Sequence, residues 1–275
     1  MPIIEINDFN APEIDVFARL TGAQLMSRLD PEKAVFIAES PNVIKVALDS
    51  GCEVLSILTE ERLINGEVGQ LIERCPDVPV YIAQRDVLKS LTGYELTRGA
   101  LAAIRRPQEK SAEEICKNAR RIAVFEGIMD STNIGALFRS AAAFDIDAVL
   151  LSPACCDPLS RRSLRVSMGT VLQIDFARVP LSVKEWEEGA INYLHSLGFK
   201  TAAMALREDS VSVDEPTLLK EERLAVILGT EGTGLLKNTI EKSDYVVRIP
   251  MSHGVDSLNV AAAGAVAFFT LSRRI

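Results

Sequence analysis

Apolar and polar residues follow one another along this chain in two rhythms. Short β-rich runs at residues 34–38, 53–58, 79–83 and 99–104 alternate with stretches at 42–50, 61–74 and 86–91 whose apolar positions recur every three or four residues. The first rhythm predicts strands, the second amphipathic helices. The helix at 42–50 is expected to stop at Gly51, a residue that tolerates a helix-ending backbone. The pattern pauses at 105–114, a polar run with one proline, the composition of a linker. It then resumes with strands at 122–126, 148–151, 200–206, 224–228 and 245–249, an extended run at 171–176, and helices at 133–144, 161–167 and 183–197. An almost uncharged, Ala-rich helix closes the chain. An apolar helix of this kind is expected to be buried on most sides.

Strands alternating with helices predict an α/β fold, with a mostly parallel sheet covered by helices on both faces. The expected organisation is a small α/β domain over 1–107, a linker over 108–120 and a larger domain over 121–275. Ligands of such sheets are expected at loops beyond the carboxyl ends of the strands.

Composition narrows the class. The chain has 275 residues, 48% of them hydrophobic, enough for one large core or two modest ones. Its five cysteines, Cys52, Cys75, Cys116, Cys155 and Cys156, are odd in number and lack C-x-x-C spacing. That suggests neither a disulfide framework nor a metal site, and fits a reduced cytoplasm. Cys155 and Cys156 read as packing residues. No basic segment precedes an apolar run at the N-terminus, and the longest apolar stretch is interrupted too early for a membrane span. The formal net charge of −8 argues against indiscriminate nucleic-acid binding. Residues 1–107 hold 11 basic and 16 acidic side chains, a net −5. RNA would have to meet a local patch, for which Arg98, Arg105 and Arg106 are the first suspects. Basic clusters at 117–121 and 161–165 also suit solvated faces.

Three segments carry candidate chemistry. The first, Asp130-Ser-Thr-Asn-Ile-Gly-Ala-Leu-Phe-Arg-Ser140, follows a strand and opens a helix. Asn133 is a plausible N-cap there, and Arg139, six residues on, lies on a different helix face. The second, Leu228-Gly-Thr-Glu-Gly-Thr-Gly-Leu235, also follows a strand. Its glycines allow tight turns or close approach to a ligand, but it is neither G-x-G-x-x-G nor a P-loop. Glu231 at its centre suits an amine, a hydroxyl or an arginine rather than a phosphate. The third runs from Ile249-Pro-Met through Ser-His-Gly-Val-Asp to Ser257-Leu-Asn259-Val. Ser257 is either the cap of the last helix or a ligand contact, and both readings stay open. A different nucleotide-using enzyme built on residues 229–234 is a weaker alternative.

Taken together, these segments resemble the three signature motifs of the SpoU/TrmH family of RNA 2'-O-ribose methyltransferases, part of the SPOUT superfamily. Leu164-Arg-Val-Ser-Met-Gly-Thr170 fits a segment the family carries between its first and second motifs. The resemblance spans about residues 120–275. The N-terminal part is similar, more loosely, to a ribosomal-protein-like substrate-binding domain. The resemblance implies S-adenosylmethionine as methyl donor, a ribose 2'-hydroxyl of ribosomal or transfer RNA as acceptor, a C-terminal trefoil knot and a homodimer. It implies Arg139, Asn133, Glu231, Ser257 and Asn259 as catalytic. It implies Ala205, Leu206, Leu228, Gly229, Thr230, Gly232, Ile249, Pro250, Met251 and Leu258 as cofactor-binding. Thr230 stands where the family often has asparagine. Arg139 is a poor base at its ordinary pKa and better suited to stabilising a developing alkoxide. His253 is a further candidate for a direct role. A non-catalytic RNA-binding or ribosome-assembly factor that keeps the fold is the alternative.

Overall fold

The computed structural model describes residues 3–6, 8, 11–27, 30–85, 88, 89 and 99–272. The chain divides into two compact units, Met1–Gln108 with Leu159–Gln173, and Glu109–Pro158 with Ile174–Ile275.

The first unit holds β1 (Ile3–Glu5), β2 (Val35–Glu39), β3 (Val54–Glu60), β4 (Val80–Ala83) and β5 (Ala100–Arg105). They form one sheet in the order β1-β4-β3-β5-β2. Only β5 runs antiparallel to its neighbours. All three residues of β1 are exposed, so no in-out alternation marks it in the sequence. The helix expected at 61–74 is split into a 3₁₀ turn, Glu61–Leu63, and an α-helix, Glu67–Glu73, on either side of Gly66. The helix expected at 86–91 falls largely outside the described residues.

Leu159–Gln173 packs as part of this first unit. Its helix, Arg161–Ser167, starts at Ser160, whose side chain accepts from the Ser163 N–H. Glu39, buried at the end of β2, accepts from Arg161 Nε at 2.9 Å and pairs with Arg165 at 3.7 Å. The helix ends at Met168 and Gly169, both at positive φ. The chain therefore turns through a 3₁₀ helix at Thr170–Gln173, where an extended run was expected, and becomes a strand only at Asp175.

The second unit holds β6 (Arg121–Phe125), β7 (Ala148–Leu151), β8 (Asp175–Arg178), β9 (Lys200–Met204), β10 (Val211–Ser212), β11 (Leu224–Leu228) and β12 (Tyr245–Arg248). The sheet order is β10-β12-β9-β11-β6-β7-β8, and every pairing is parallel. The chain starts in the interior at β6, moves outward through β7 and β8, then crosses to β9, β11 and β12. Strand order therefore reverses between β6 and β11, where sheets of this kind leave a crevice at their carboxyl edge.

Both faces of this sheet are covered. Helix Val183–Ser196 opens with a Ser182/Glu185 capping box and buries Trp186, Ala190, Ile191 and Leu194. Those side chains pack on Ile122, Val124, Leu150, Ala203 and Ile227. The segment expected to be a linker contributes a helix, Ala112–Cys116, that buries Ala112, Ile115 and Cys116 in the same cluster. Side chains alternate across a strand, so Phe125 faces the other layer, where its ring meets Phe138 edge-on at 5.6 Å. There helix Val260–Leu271 lies against helix Ser131–Ala143. A Cβ at Gly264 would sit 2.4 Å from Leu137 Cδ2, so this approach requires the missing side chain. The last helix buries Val260, Gly264, Ala267, Phe268 and Leu271, while Ala262, Val266 and Phe269 are exposed. It is thus half-buried in the chain, not buried on most sides.

Arg121, from the basic cluster at 117–121, is buried. It donates to the carbonyls of Leu219 and Leu271, in the last turns of two helices, where positive charge is favoured. Cys155 Sγ donates to the Phe125 carbonyl at 3.0 Å, and burial pushes its thiol up. All five cysteines are unpaired.

Candidate active site

Three loops leave the carboxyl ends of β6, β11 and β12. In the first, the side chain of Asp130 accepts from the N–H groups of Thr132, at 2.7 Å, and Asn133, at 3.0 Å. Asp130 is therefore the cap of helix Ser131–Ala143, not Asn133 as the sequence suggested. The chain is still extended at Asp130 and helical from Ser131 on. Relieved of capping, the side chain of Asn133 points to tertiary contact, and its Oδ1 accepts from Asn259 Nδ2 at 3.1 Å.

The second loop folds back on itself. Thr230 and Gly234 exchange backbone hydrogen bonds of 3.2 and 3.1 Å, and Gly234 turns the chain at φ +69°. The Thr230 hydroxyl bonds the Thr233 hydroxyl at 2.9 Å and accepts the Thr233 N–H at 3.2 Å, so it braces the loop internally. At Gly229 a Cβ would lie 2.5 Å from the Gly234 carbonyl, whereas at Gly232 it would meet nothing within 4 Å.

In the third loop the cap assignment also moves. Asn259, not Ser257, caps the last helix, its Oδ1 accepting from Ala261 N at 3.0 Å and Ala262 N at 3.4 Å. Ser257 lies two residues too early and instead donates to Asp256 Oδ1 at 3.3 Å. The amide nitrogen of Asn259 donates to Asn133 and to Glu231 Oε1. One asparagine thus ties together all three loops. Its carbonyl end fixes the helix and its donor end holds two acceptors.

Beside this cluster lies a 460 Å³ cavity. Nine of the ten anticipated cofactor residues line it: Ala205, Leu206, Leu228, Gly229, Thr230, Gly232, Ile249, Met251 and Leu258. Pro250 does not, and is exposed between two lining neighbours. Glu231 and Ser257 line the cavity too. Arg248, not anticipated, adds a cation at the end of β12; its position next to Ile249 was the available signal.

Other anticipated residues lie elsewhere. Arg139 is exposed, and its side chain has no hydrogen-bond or ion-pair partner among the described residues. Its offset of six from Asn133 sets it on another face of the helix. His253 is exposed at φ +59° and does not line the cavity. Arg98 lies outside the described residues. Arg105 pairs with Glu53 and donates to the Glu32 carbonyl, and Arg106 Nε donates to the Val35 carbonyl at 3.1 Å. The second of the two histidines, His195, was not anticipated in the site and is bound to Asp244 at 2.7 Å.

The SpoU rRNA Methylase family model matches residues 120–269. An uncharacterized tRNA/rRNA methyltransferase of Mycobacterium tuberculosis is 36% identical, over 99% of this chain and 93% of that protein. The 23S rRNA (guanosine(2553)-2'-O)-methyltransferase RlmP of Bacillus subtilis is 27% identical, over 86% of this chain and 88% of that one. Among solved structures, an AdoMet-bound rRNA methyltransferase from Sinorhizobium meliloti superposes with a TM-score of 0.79 at 20% identity, covering 98% of this chain and 97% of that one.

Proposed function

We propose that this chain, which belongs to the SpoU rRNA Methylase family, is an S-adenosylmethionine-dependent methyltransferase acting on a ribose 2'-hydroxyl of ribosomal or transfer RNA. The observation that carries this reading is the convergence of Asn133, Glu231 and Asn259 beside a cavity lined by Gly229, Ile249 and Leu258. The 2'-O specificity in the name of the Bacillus subtilis relative supports the ribose. The name of the mycobacterial relative spans tRNA and rRNA, and the proposal keeps both.

The residues present fit the cofactor. The 460 Å³ cavity lies within the range of about 300–1,000 Å³ usual for small-molecule sites. Leu228, Ile249, Met251 and Leu258 offer apolar walls, and residues 229–234 offer backbone donors and acceptors. When bound, S-adenosylmethionine supplies a methyl group activated on a sulfonium. The protein's part is to orient the hydroxyl and stabilise the charge that develops on its oxygen. The family resemblance gives that part to Arg139, whose side chain is exposed and unpaired among the described residues and does not line the cavity of this chain. Ser257 faces the cavity and orients the ribose, while Asn259 holds Glu231 and Asn133 in register. The first unit binds RNA through Arg98, Arg105 and Arg106, of which Arg105 must share its charge with Glu53. The homodimer and the C-terminal knot belong to the same reading. The exposed apolar stripe of Ala262, Val266 and Phe269 supports a second copy as neighbour.

Mass spectrometry of ribosomal and transfer RNA from a deletion strain tests the proposal. The loss of one 2'-O-methyl, restored by the wild-type gene, is expected; an unchanged methylation map overturns it.

Asn259→Asp separates the two jobs of that residue. The carboxylate keeps the cap, so helix stability should stay within about 0.5 kcal/mol. It loses the amide donor and sets a second negative charge against Glu231. Methyl transfer should therefore fall about 10- to 100-fold, measured as initial rate beside a thermal melt. A variant that melts early but turns over normally would reverse the assignment.

A further inference from the structure

Glu126 follows β6 directly and is only 4% exposed. Its carboxylate accepts three hydrogen bonds: from Leu236 N at 2.7 Å on Oε1, and from Trp186 Nε1 at 2.9 Å and Thr239 Oγ1 at 2.7 Å on Oε2. Its own N–H donates to the Leu228 carbonyl at 2.8 Å. Leu228 is the last residue before the glycine-rich loop and Leu236 the first after it. One residue thus grips both ends of the loop that forms a wall of the cavity. Leu236 is also the N-cap of helix Lys237–Lys242 and has no capping side chain. The Glu126 carboxylate takes that role, placing negative charge at the positive end of the helix. Trp186 belongs to the core helix Val183–Ser196, so the far end of the loop is registered against the hydrophobic core of the unit.

We infer that Glu126 is a positioning residue for residues 229–235, fixing the span of that loop and with it the wall of the cofactor cavity. The inference rests on the proposed function for the identity of the ligand, and on the geometry alone for the clamp. A glutamine at this position still accepts from Leu236, but its NH₂ meets the Trp186 N–H donor, and a buried donor facing a donor is unfavourable.

The test is hydrogen exchange by mass spectrometry on the full chain, with calorimetric binding of S-adenosylmethionine. In Glu126→Gln, exchange over 229–236 should rise about 10- to 100-fold and the Kd for S-adenosylmethionine should weaken by a similar factor. Helix Ser131–Ala143 should keep wild-type exchange, which a merely structural role would not allow. Should Glu126→Gln not fold, Thr239→Val, which spares the Leu236 bond, should give the same loop-local pattern at about three- to tenfold. Exchange that is unchanged over 229–236, or raised uniformly through the unit, overturns the inference. So does a looser loop with an unaltered Kd. If the wild type binds no S-adenosylmethionine, the proposed function falls, while the exchange pattern still decides the clamp.

Discussion

Replacing Arg139 by alanine is expected to lower kcat about 100- to 1,000-fold and to leave folding stability within about 0.5 kcal/mol of wild type. The loss of activity rests on the role that the family resemblance implies for Arg139, and the unchanged stability on its surroundings. The Arg139 side chain is exposed and makes no hydrogen bond or ion pair among the described residues, so its removal leaves no buried group unsatisfied and no cavity. In the proposed reaction, a guanidinium without a carboxylate partner is available to an oxyanion that forms only during reaction. Such a group contributes to the transition state and little to the ground state. Arg139→Lys keeps the charge but loses the planar fork, and is expected to retain about a tenth of the activity. Steady-state transfer of labelled methyl to ribosomal and transfer RNA from the deletion strain, beside thermal denaturation, measures both quantities. Wild-type turnover in Arg139→Ala would remove Arg139 from the reaction, whereas no transfer by the wild type itself would favour the non-catalytic alternative. A large loss of stability would mean that the side chain serves the fold.

The α/β alternation was legible because most strands of both sheets carry continuous apolar runs, such as Ile122–Phe125 and Leu224–Leu228, all buried. The antiparallel β5 was not legible in direction, since a fully buried strand reads the same either way. The caps of the two site helices were not settled by the sequence, for one reason. Asp130 and Asn133, and Ser257 and Asn259, are all competent capping residues, and only the backbone settles which is last outside the helix. That ambiguity hid the central feature of the site. Once Asp130 caps, Asn133 is free to meet Asn259, and once Asn259 caps, its amide nitrogen is aimed at Glu231. The exposed stripe of the last helix was hidden by composition. Alanine, valine and phenylalanine occur on all its sides, so no polar face marks the side left uncovered. Glu126 was invisible because a lone glutamate at a strand end carries no signal until Trp186, Leu236 and Thr239 are brought around it.

Gly229→Ala is expected to weaken S-adenosylmethionine binding about a hundredfold, the equivalent of about 3 kcal/mol of steric strain. Gly229 does not adopt a positive φ, so the backbone conformation itself would accept alanine. The obstacle is space. The added Cβ would lie 2.5 Å from both the carbonyl carbon and oxygen of Gly234 and 2.6 Å from the Leu235 nitrogen. These are backbone atoms and cannot swing aside as a side chain would. Relief requires residues 229 and 234 to part, which opens the Thr230–Gly234 pairing and shifts the loop that walls the cavity. The strain is local, because Glu231, Gly232, Thr233 and Gly234 are exposed and the sheet ends at Leu228. Circular dichroism of Gly229→Ala should therefore match the wild type while calorimetry reports the lost affinity. Gly232→Ala provides the contrast on the stability side. Its Cβ meets nothing within 4 Å, so its melting temperature should be unchanged, and any weakening of binding would come from the ligand's own approach to that backbone. Wild-type affinity in Gly229→Ala would mean that the loop yields freely, and that the cavity wall is set by Ile249 and Leu258 instead.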